Sequence, residues 1–433
     1  MKVCLITGEF PPMQGGVGDF TYELGKALAE LGVEVSVITS VKGLGTRDKG
    51  SGTRDKGSGL PLVTGHLSLF LIIERWDWTC WRDITRLLNE IRPDVVNIQY
   101  QTAAYGMHPA INLLPLRLGS RFTFHVSRFT FHKRTSRSSK DHPLTIVTFH
   151  DLKVPYLFPK AGPLRWGVNL ALARWSDAVI VTNAEDCARL STYPFIRSLS
   201  LIPIGSNIRP EAPADYDREA WRARWGVGPD DTLLSYFGFL NESKGAETLV
   251  HALGRLVRGY DAQSASNLQP PTSNLQLMMV GSKVGSSDPT NVAYLKKVEG
   301  LIEELGLTNM VLWTGYTPQP EVSANLLASD ICVLPYRDGA SFRRGSFMAA
   351  LAHGLPIVST RPRVDVPELR HGENILLVPP DAPLALAEAI ARLAGDANLR
   401  RRLGEGAARL AQEFTWDKIA EKTKALYEEI LSV

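Results

Sequence analysis

Cysteine is scarce in this 433-residue chain, and the cysteines present are not paired. The four lie at Cys4, Cys80, Cys187 and Cys332, with no CxxC pair and no Cys/His spacing of the kind that ligates a metal. A disulfide-stabilised scaffold is therefore not expected, and a reducing compartment is favoured. We predict a cytoplasmic protein without a metal site.

Long apolar runs and a strong net charge are also missing. No run approaches the roughly 20 apolar residues that a membrane-spanning helix needs. The first residues, MKVCLITGEFPP, form too short an apolar stretch for a signal peptide and favour a buried first strand. The net charge of +3, from 48 basic and 45 acidic residues, argues against a dedicated nucleic-acid-binding protein.

Positive charge is concentrated in one segment. Residues 119–140 contain six Lys or Arg and no acidic residue, so without them the balance changes from +3 to −3. The segment also repeats SRFTFH, and the sequence predicts a solvated basic loop or a peripheral membrane contact through 119–141. In the second case it would extend the protein towards a lipid-linked acceptor, whereas a loop of this size could instead crowd the acceptor side. Internal repeats mark three expected loop insertions, near 43–59, 119–141 and 261–274.

Apolar runs alternate with helical periodicity along most of the chain. Helical periodicity is clear at 19–31 and 81–91. Continuous apolar strands separated by helices indicate parallel sheets covered on both faces. The segment 205–231, rich in Pro, Asp and Arg, is interpreted as a linker between two such sheets. The expected strands lie at 3–7, 33–39, 94–100, 144–149, 177–182 and 199–204, and after the linker at 232–238, 275–281, 310–315, 330–335 and 355–360.

Two features of the first half are candidates for ligand binding. Gly15, Gly16 and Gly18 precede a helix expected to start near Asp19, where free backbone N–H groups attract an anion. A purely structural turn is an equally open interpretation of these glycines. The pair His150-Asp151 follows an apolar strand, at the edge where open α/β sheets bind ligands.

The second half contains a lysine in an unfavourable place. Lys244 lies between the strand at 232–238 and a helix expected to begin near Gly245. A cation at a helix N-terminus is repelled by the helix dipole unless an anion lies between them. This conflict indicates a phosphate-binding site.

Together these segments resemble the GT-B glycosyltransferases, most closely the retaining family called group 1 or family 4. The resemblance rests on GGVG (15–18), TFHD (148–151), FGFLNESKG (237–245) and the stretch from Pro335 to Val358 that ends in HGLPIV. It covers almost the whole chain apart from the three insertions. It implies an α/β fold with two Rossmann-like domains, 1–205 and 206–413, whose parallel sheets face a central cleft, and a last helix, 414–433, that packs on the first domain.

The family's activity follows from the same resemblance. It implies metal-independent transfer of a sugar from a UDP- or GDP-sugar to a glycan, lipid-linked or small-molecule acceptor, with retention at the anomeric carbon and no further cofactor. Lys244 matches the lysine that contacts the diphosphate, His150 the histidine near the sugar, and Glu368 belongs to the matching PEL motif. The expected catalytic residues are His150, Asp151, Lys244 and Ser341, and the expected donor-binding residues are Gly15, Gly16, Gly18, Gly238, Lys244, Arg343, Arg344, Gly345, Ser346 and Glu368.

The departures from the family pattern concern the donor site. Phe239 stands where relatives have an arginine, and Ser341 and Ala349 stand where they have two glutamates that contact the sugar and the ribose. Arg343 or Arg344 could supply the missing positive charge because guanidinium groups bind phosphate in bidentate fashion. The alternative is that both arginines pair with Asp338 or face water.

Three functions remain open at this point. An active glycosyltransferase is favoured by Lys244, His150 and the glycine loops. A catalytically silent GT-B protein that binds a nucleotide sugar or a partner glycosyltransferase is favoured by the missing glutamates at Ser341 and Ala349. An epimerase or hydrolase acting on nucleotide sugars is the third, and analysis of products would separate it from transfer.

Overall fold

The computed structural model describes residues 1–13, 15–41, 66–119, 142–152, 162–258, 274–283 and 289–432. The chain divides into two compact units, of which the first comprises Met1–Gly205 and Trp416–Val433 and the second Ser206–Thr415. The expected insertions lie outside the described residues except for Gly119 and Asn274. Among the described residues, no helix is long and apolar enough to cross a membrane.

The first unit is built on a seven-stranded sheet in the order β3-β2-β1-β4-β5-β6-β7, with every neighbouring pair parallel. Its strands are β1 (Lys2–Thr7), β2 (Glu34–Ser40), β3 (Leu67–Ile73), β4 (Val95–Tyr100), β5 (Leu144–Phe149), β6 (Ala178–Val181) and β7 (Leu199–Leu201). Its helices are α1 (Gly16–Glu30), α2 (Cys80–Ile91), α3 (Ala110–Leu118), α4 (Gly162–Trp175) and α5 (Ala184–Leu190), and the helix at Trp416–Ser432, named α13 below, completes it.

Both faces of this sheet are covered, which explains why its strands are continuously apolar. In β1, Val3 and Leu5 pack into one hydrophobic cluster, whereas Cys4 and Ile6 pack into another on the opposite face. The last helix contributes Tyr427, whose hydroxyl accepts a hydrogen bond of 2.6 Å from the buried Asn97 amide. The parallel arrangement predicted for this half is confirmed.

The second unit contains a six-stranded parallel sheet in the order β10-β9-β8-β11-β12-β13. Its strands are β8 (Thr232–Phe237), β9 (Leu275–Val280), β10 (Val311–Gly315), β11 (Ile331–Leu334), β12 (Ile357–Thr360) and β13 (Leu376–Val378). Its helices are α6 (Arg218–Arg224), α7 (Ala246–Arg258), α8 (Pro289–Glu304), α9 (Gln319–Ala328), α10 (Gly345–Ala352), α11 (Pro383–Gly395) and α12 (Ala397–Ala411).

Two edge strands and one helix differ from the sequence prediction. Strands β3 and β13 were not predicted; each lies at a sheet edge, and β13 has only three residues. The supposed linker 205–231 contains α6, where the side chain of Asp217 caps the N–H of Ala220. The segment was misjudged because one of its arginines, Arg222, is buried and pairs with the distant Asp330 instead of facing water.

Each sheet reverses its strand order at one point. In the first unit the chain leaves β1 towards β2 on one side, while β4 leads to β5 on the other side. In the second unit β8 leads to β9, and β11 leads to β12 in the opposite direction. The carboxyl ends of strands at such a switch point leave a crevice in which α/β proteins bind ligands.

Candidate functional site

The glycine loop of the first unit surrounds a carboxylate of the protein itself. The Val17 N–H, in the first turn of α1, donates a hydrogen bond of 3.2 Å to Glu9 Oε1. A Cβ atom at Gly15 would lie 2.1 Å from that oxygen, and one at Gly18 would lie 3.1 Å from the Glu9 backbone, whereas Gly16 has open space around it. Burial raises the pKa of Glu9. The N-terminus of α1, which the sequence assigned to an anionic donor, therefore contacts a carboxyl group of the protein itself.

His150 follows β5, the neighbour of β4, at the carboxyl edge of the same sheet and is half-buried. Its Nε2 lies 3.0 Å from Oε1 of Gln99, near the end of β4, and its ring makes an edge contact with Phe20 at 4.6 Å between centroids. Burial lowers the pKa of His150 to about 3. The imidazole is thus neutral. Because the side-chain oxygen of Gln99 can only accept a hydrogen bond, Nε2 is the ring nitrogen that carries the proton. Asp151 is the next residue and is half-buried.

In the second unit, two glycines bring Lys244 to the end of β8. Gly238 has a φ of 111°, and a Cβ atom there would lie 2.6 Å from the Lys244 Nζ. Gly245 has a φ of 69°, and its Cβ would lie 2.0 Å from the carbonyl oxygen of Pro335. Both positions therefore require glycine, for the left-handed backbone and for close approach. The lysine amine lies directly over the Gly238 backbone.

The surroundings of Lys244 disfavour its own charge. Burial, with a further contribution from the positive charge of Arg344, lowers the pKa of Lys244 to about 7. Across the described ranges, no carboxylate forms an ion pair with this amine. A half-buried cation beside a second cation is stabilised by an anion that lies between them.

Two arginines at the start of α10 share one aspartate. Nη2 of Arg343 donates to Asp338 Oδ2 at 2.8 Å, and Nη2 of Arg344 donates to both carboxylate oxygens of Asp338, at 2.5 and 2.6 Å. The side chains are 4%, 15% and 7% exposed for Arg343, Arg344 and Asp338 respectively. The pairing with Asp338, one of the two alternatives drawn from the sequence, is therefore present.

Of the two arginines, Arg344 is the one that lies next to Lys244. Its guanidinium carbon lies 4.9 Å from the centroid of the Tyr336 ring, and the Tyr336 hydroxyl is hydrogen-bonded to Ser346 Oγ at 2.7 Å. A Cβ at Gly238 would be 3.8 Å from the Ser346 Cβ. In the part of the chain that the structure describes, the buried Nε of Arg344 has no hydrogen-bond partner. Four residues thus converge at the β8–β11 switch point and are called the Lys244 group below: Gly238, Lys244, Arg344 and Ser346.

The other predicted residues of this unit occupy different positions. The carbonyl of Ser341 accepts a hydrogen bond of 3.1 Å from the Arg344 N–H, so Ser341 shapes the turn before α10. Gly345 begins that helix. Glu368 is exposed and lines a cavity of about 300 Å³. None of the residues lining this cavity belongs to the Lys244 group. The other residues lining this cavity are Arg370, Glu373, Asn374, Gly406, Arg409 and Leu410.

Three residues of these sites escaped the sequence analysis. Glu9, Gln99 and Tyr336 each lie at or just beyond the carboxyl end of a strand next to a switch point. The sequence shows that these residues lie at strand ends. It does not show which strands are adjacent at a switch point, because that depends on the strand order. Among the described residues, no group of three or more His, Cys, Asp or Glu side chains is arranged to hold a metal ion.

Two family models match most of the chain. Residues 14–208 match the model described as Glycosyltransferase Family 4, and residues 231–396 match the one described as Glycosyl transferases group 1. The first match covers the glycine loop and His150, and the second covers the Lys244 group.

Curated relatives match over about half of this chain. A D-inositol 3-phosphate glycosyltransferase of Streptomyces bingchenggensis (strain BCW-1) is 27% identical over 236 residues, which are 54% of this chain and 48% of that protein. The enzyme of the same name from Corynebacterium efficiens is 28% identical over 234 residues, 53% of this chain and 51% of that one. The chain therefore spans about half the length of the curated relatives it matches.

Solved structures share the fold over the full length. Sucrose-phosphate synthase from Thermosynechococcus elongatus superposes with a TM-score of 0.72 at 21% identity, covering 100% of this chain and 99% of the other. Anabaena HepE in complex with UDP-glucose superposes with a TM-score of 0.67 at 15% identity, covering 99% and 100% of the two chains. At these identities the likeness concerns the fold, and the predicted GT-B fold is confirmed.

Proposed function

Because the chain belongs to the group 1 and family 4 glycosyltransferases, we propose that its second unit binds the diphosphate of a nucleotide sugar through Lys244 and Arg344, and that the protein transfers this sugar to an acceptor hydroxyl. The observation that carries the proposal is the pair of neighbouring cations at the β8–β11 switch point. Lys244 lies beside Arg344 without a carboxylate of its own, counted over the described residues.

The charge of the cluster suits a diphosphate. When the lysine is protonated, Lys244 and Arg344 place two positive charges next to each other, with Asp338 paired to Arg344. The backbone N–H groups at the start of α10 add positive partial charge beside Ser346. Groups held in place before the reaction stabilise the charge that develops on a leaving diphosphate.

The finer mechanism follows the family resemblance. We propose retention at the anomeric carbon, metal-independent departure of the diphosphate, and deprotonation of the acceptor assisted by a donor phosphate oxygen. The neutral His150 serves as a hydrogen-bonding group near the sugar and not as an acid or base, because its pKa lies far below neutral pH. Nuclear magnetic resonance of the product anomer tests retention, and turnover after treatment with a chelator tests metal independence.

Donor binding is tested by calorimetry with UDP, GDP and ADP. UDP comes first because a structural neighbour binds UDP-glucose, and D-inositol 3-phosphate is the first trial acceptor because relatives carry its name.

We expect Lys244→Met to weaken binding of the preferred nucleotide at least about tenfold, since a charge-assisted phosphate contact contributes about 1.5–3 kcal/mol. Lys297→Met is the matched control, since Lys297 is a surface lysine paired with Glu247. Equal affinities of wild type and Lys244→Met would contradict the proposal.

A silent nucleotide-sugar-binding protein is the second candidate. Two observations favour it: Ser341 replaces one glutamate of the family pattern, and Ala349, fully buried, replaces the other. Nucleotide binding without any turnover of UDP- or GDP-sugars, with the trial acceptor or with water, would support this candidate over the transferase.

Location and membrane contact remain predictions. The residues that flank 119–141 lie at the amino end of β5, whereas His150 lies beyond its carboxyl end. This arrangement does not favour crowding of the His150 side by the insertion. Sedimentation with anionic liposomes, with and without 119–141, tests the contact.

A further inference from the structure

Tyr336 is a fully buried residue that is fixed at both of its ends. It lies two residues beyond β11, and its backbone carbonyl accepts hydrogen bonds from the Gly339 N–H at 3.2 Å and from the hydroxyl of Thr360 in β12. Its own hydroxyl is hydrogen-bonded to Ser346 Oγ at 2.7 Å. Burial raises the pKa of Tyr336, so the phenol keeps its proton. The sheet therefore holds the backbone of Tyr336, and the start of α10 holds its hydroxyl.

The hydrogen bond between Tyr336 and Ser346 has a favoured direction, although either hydroxyl has a proton to donate. Within the described ranges, neither hydroxyl has a second hydrogen-bond partner. If Ser346 donated, the Tyr336 proton would be buried without an acceptor, which is unfavourable. If Tyr336 donates, the remaining proton belongs to Ser346, which is partly exposed. Donation from Tyr336 is therefore favoured, and it leaves the Ser346 hydroxyl free to donate to a ligand.

Ser346 lies close to the Lys244 amine. Lys244 Nζ and Ser346 Cβ are both within 4 Å of the position that a Cβ at Gly238 would take. Ser346 is also the second residue of α10, and the first N–H groups of a helix have no acceptor within the helix. A cation, a hydroxyl and a helix N-terminus thus meet next to Gly238. All three are groups that bind phosphate.

Resting on the donor-binding role proposed above, we propose that Ser346 donates a hydrogen bond to a phosphate oxygen of the nucleotide sugar and that Tyr336 is its positioning residue. The Tyr336 hydroxyl donates to Ser346 Oγ, which fixes the side-chain rotamer of Ser346 and directs the Ser346 proton towards the donor. Ser346 contacts the donor, whereas Tyr336 does not. A hydroxyl that is oriented beforehand binds more tightly than a rotating one, because less conformational freedom is lost on binding.

The test is a double-mutant cycle of Tyr336→Phe and Ser346→Ala. Calorimetry measures binding of inorganic pyrophosphate and of the preferred nucleotide among UDP, GDP and ADP. We expect Ser346→Ala to weaken both about tenfold, since it removes a hydrogen bond to a charged group. We expect Tyr336→Phe to weaken both about three- to tenfold. This variant keeps the aromatic ring next to the Arg344 guanidinium, so only the hydroxyl is changed.

The coupling between the two substitutions separates positioning from a merely structural role. When Ser346→Ala is already present, adding Tyr336→Phe should change the affinity less than about twofold. Ser346→Thr keeps a hydroxyl, so it should bind within about threefold of wild type and stay sensitive to Tyr336→Phe. Additive effects of Tyr336→Phe and Ser346→Ala would overturn the proposal, because Tyr336 would then act independently of Ser346. Wild-type affinity in either single variant would also overturn it.

Tyr294→Phe is the matched control. Tyr294 is a buried tyrosine of the same unit, and its hydroxyl accepts a hydrogen bond of 3.3 Å from the Glu247 N–H. We expect this variant to bind within about twofold of wild type, and thermal unfolding shows whether each variant is folded. Ser346→Ala leaves the Tyr336 hydroxyl without its partner, whereas the double variant removes both partners and is the safer one for folding. If Ser346→Ala does not fold, wild-type affinity in Tyr336→Phe or a loss of binding in Ser346→Thr would overturn the proposal.

The same measurements distinguish a failure of this inference from a failure of the proposed function. If wild type binds neither pyrophosphate nor any of the three nucleotides, or if Lys244→Met binds as tightly as wild type, the proposed function fails and this inference fails with it. If Lys244→Met weakens binding while Tyr336→Phe and Ser346→Ala do not, only the role of Tyr336 and Ser346 is refuted.

Discussion

At the scale of a residue, the protonation of Lys244 depends on whether an anionic ligand is bound next to it. Burial and the neighbouring Arg344 lower the pKa of Lys244 to about 7, so in the free protein most of this amine is neutral at pH 8. A diphosphate at hydrogen-bond distance would favour the charged form and raise the pKa again. Ligand binding and protonation of Lys244 are therefore linked.

This linkage makes nucleotide binding take up protons. At pH 8 we expect uptake approaching one proton per bound nucleoside diphosphate, because the free amine is mostly neutral and the bound amine is charged. At pH 6 the lysine is already protonated, so its contribution should vanish. Calorimetry in buffers of different ionisation enthalpy measures the uptake, and Lys244→Met is the control for protons taken up by the nucleotide. An enthalpy at pH 8 that does not depend on the buffer would contradict this assignment.

Gly15 and Gly16 are adjacent in sequence and differ in their surroundings. An added Cβ at Gly15 would lie 2.1 Å from the Glu9 carboxylate, whereas one at Gly16 would contact nothing within 4 Å. We expect Gly15→Ala to destabilise the protein by about 1–3 kcal/mol, because the carboxylate must leave the Val17 N–H. Gly16→Ala is the control, expected within about 0.5 kcal/mol of wild type. Equal urea midpoints for the two variants would show that Glu9 does not determine this loop.

At the scale of an element, α6 shows how a charged segment becomes part of a core. Arg222 is buried, and its guanidinium donates to Asp330 Oδ2 at 2.9 Å and to the backbone carbonyls of Ala328, Gly228 and Asp231. One side chain thus connects α6 to the loop before β8 and to the start of β11. A composition rich in Arg and Asp predicts a solvated linker, but the carboxylate that pairs with Arg222 lies 108 residues away in the chain.

Removing this connection should be costly. Arg222→Met leaves Asp330 with fewer partners and takes a buried donor away from three backbone carbonyls, so we expect a loss of about 3–5 kcal/mol in the free energy of unfolding. Arg224→Met, two residues further, is the matched control, since Arg224 is exposed and lies 4.5 Å from the Trp221 ring centroid. We expect it to cost less than about 1 kcal/mol. Chemical denaturation followed by circular dichroism measures both, and similar losses would contradict the role of Arg222.

The strands that were missed share a physical cause. β13 has three residues, too few for a periodic pattern to be recognised. β3, with the sequence LSLFLII, is as apolar as the central strands, but it follows a repetitive segment that was interpreted as a loop insertion. It is half-buried along most of its length, as expected of a strand at the edge of a sheet.

At the scale of the whole molecule, the chain forms two units with the same design. In each unit a glycine-containing loop follows the first central strand, and polar side chains follow the strand across the switch point. The chain also returns from the second unit to the first, where Ile419, Ala420 and Tyr427 of α13 are buried in the first unit's core. The GT-B fold therefore follows from two repeats of one pattern and a closing helix.

The sequence by itself determined the α/β class, the family, and the strands and loops on which Lys244, His150 and the two arginines lie. These features are local: strand burial, glycine before a helix, and motif spacing are written into neighbouring residues. Only the tertiary structure decided what each charged group contacts. Glu9 occupies the N-terminus of α1, Arg343 is buried against Asp338, and Arg344 lies next to Lys244. Contacts of this kind depend on strand order and on side-chain geometry between distant segments.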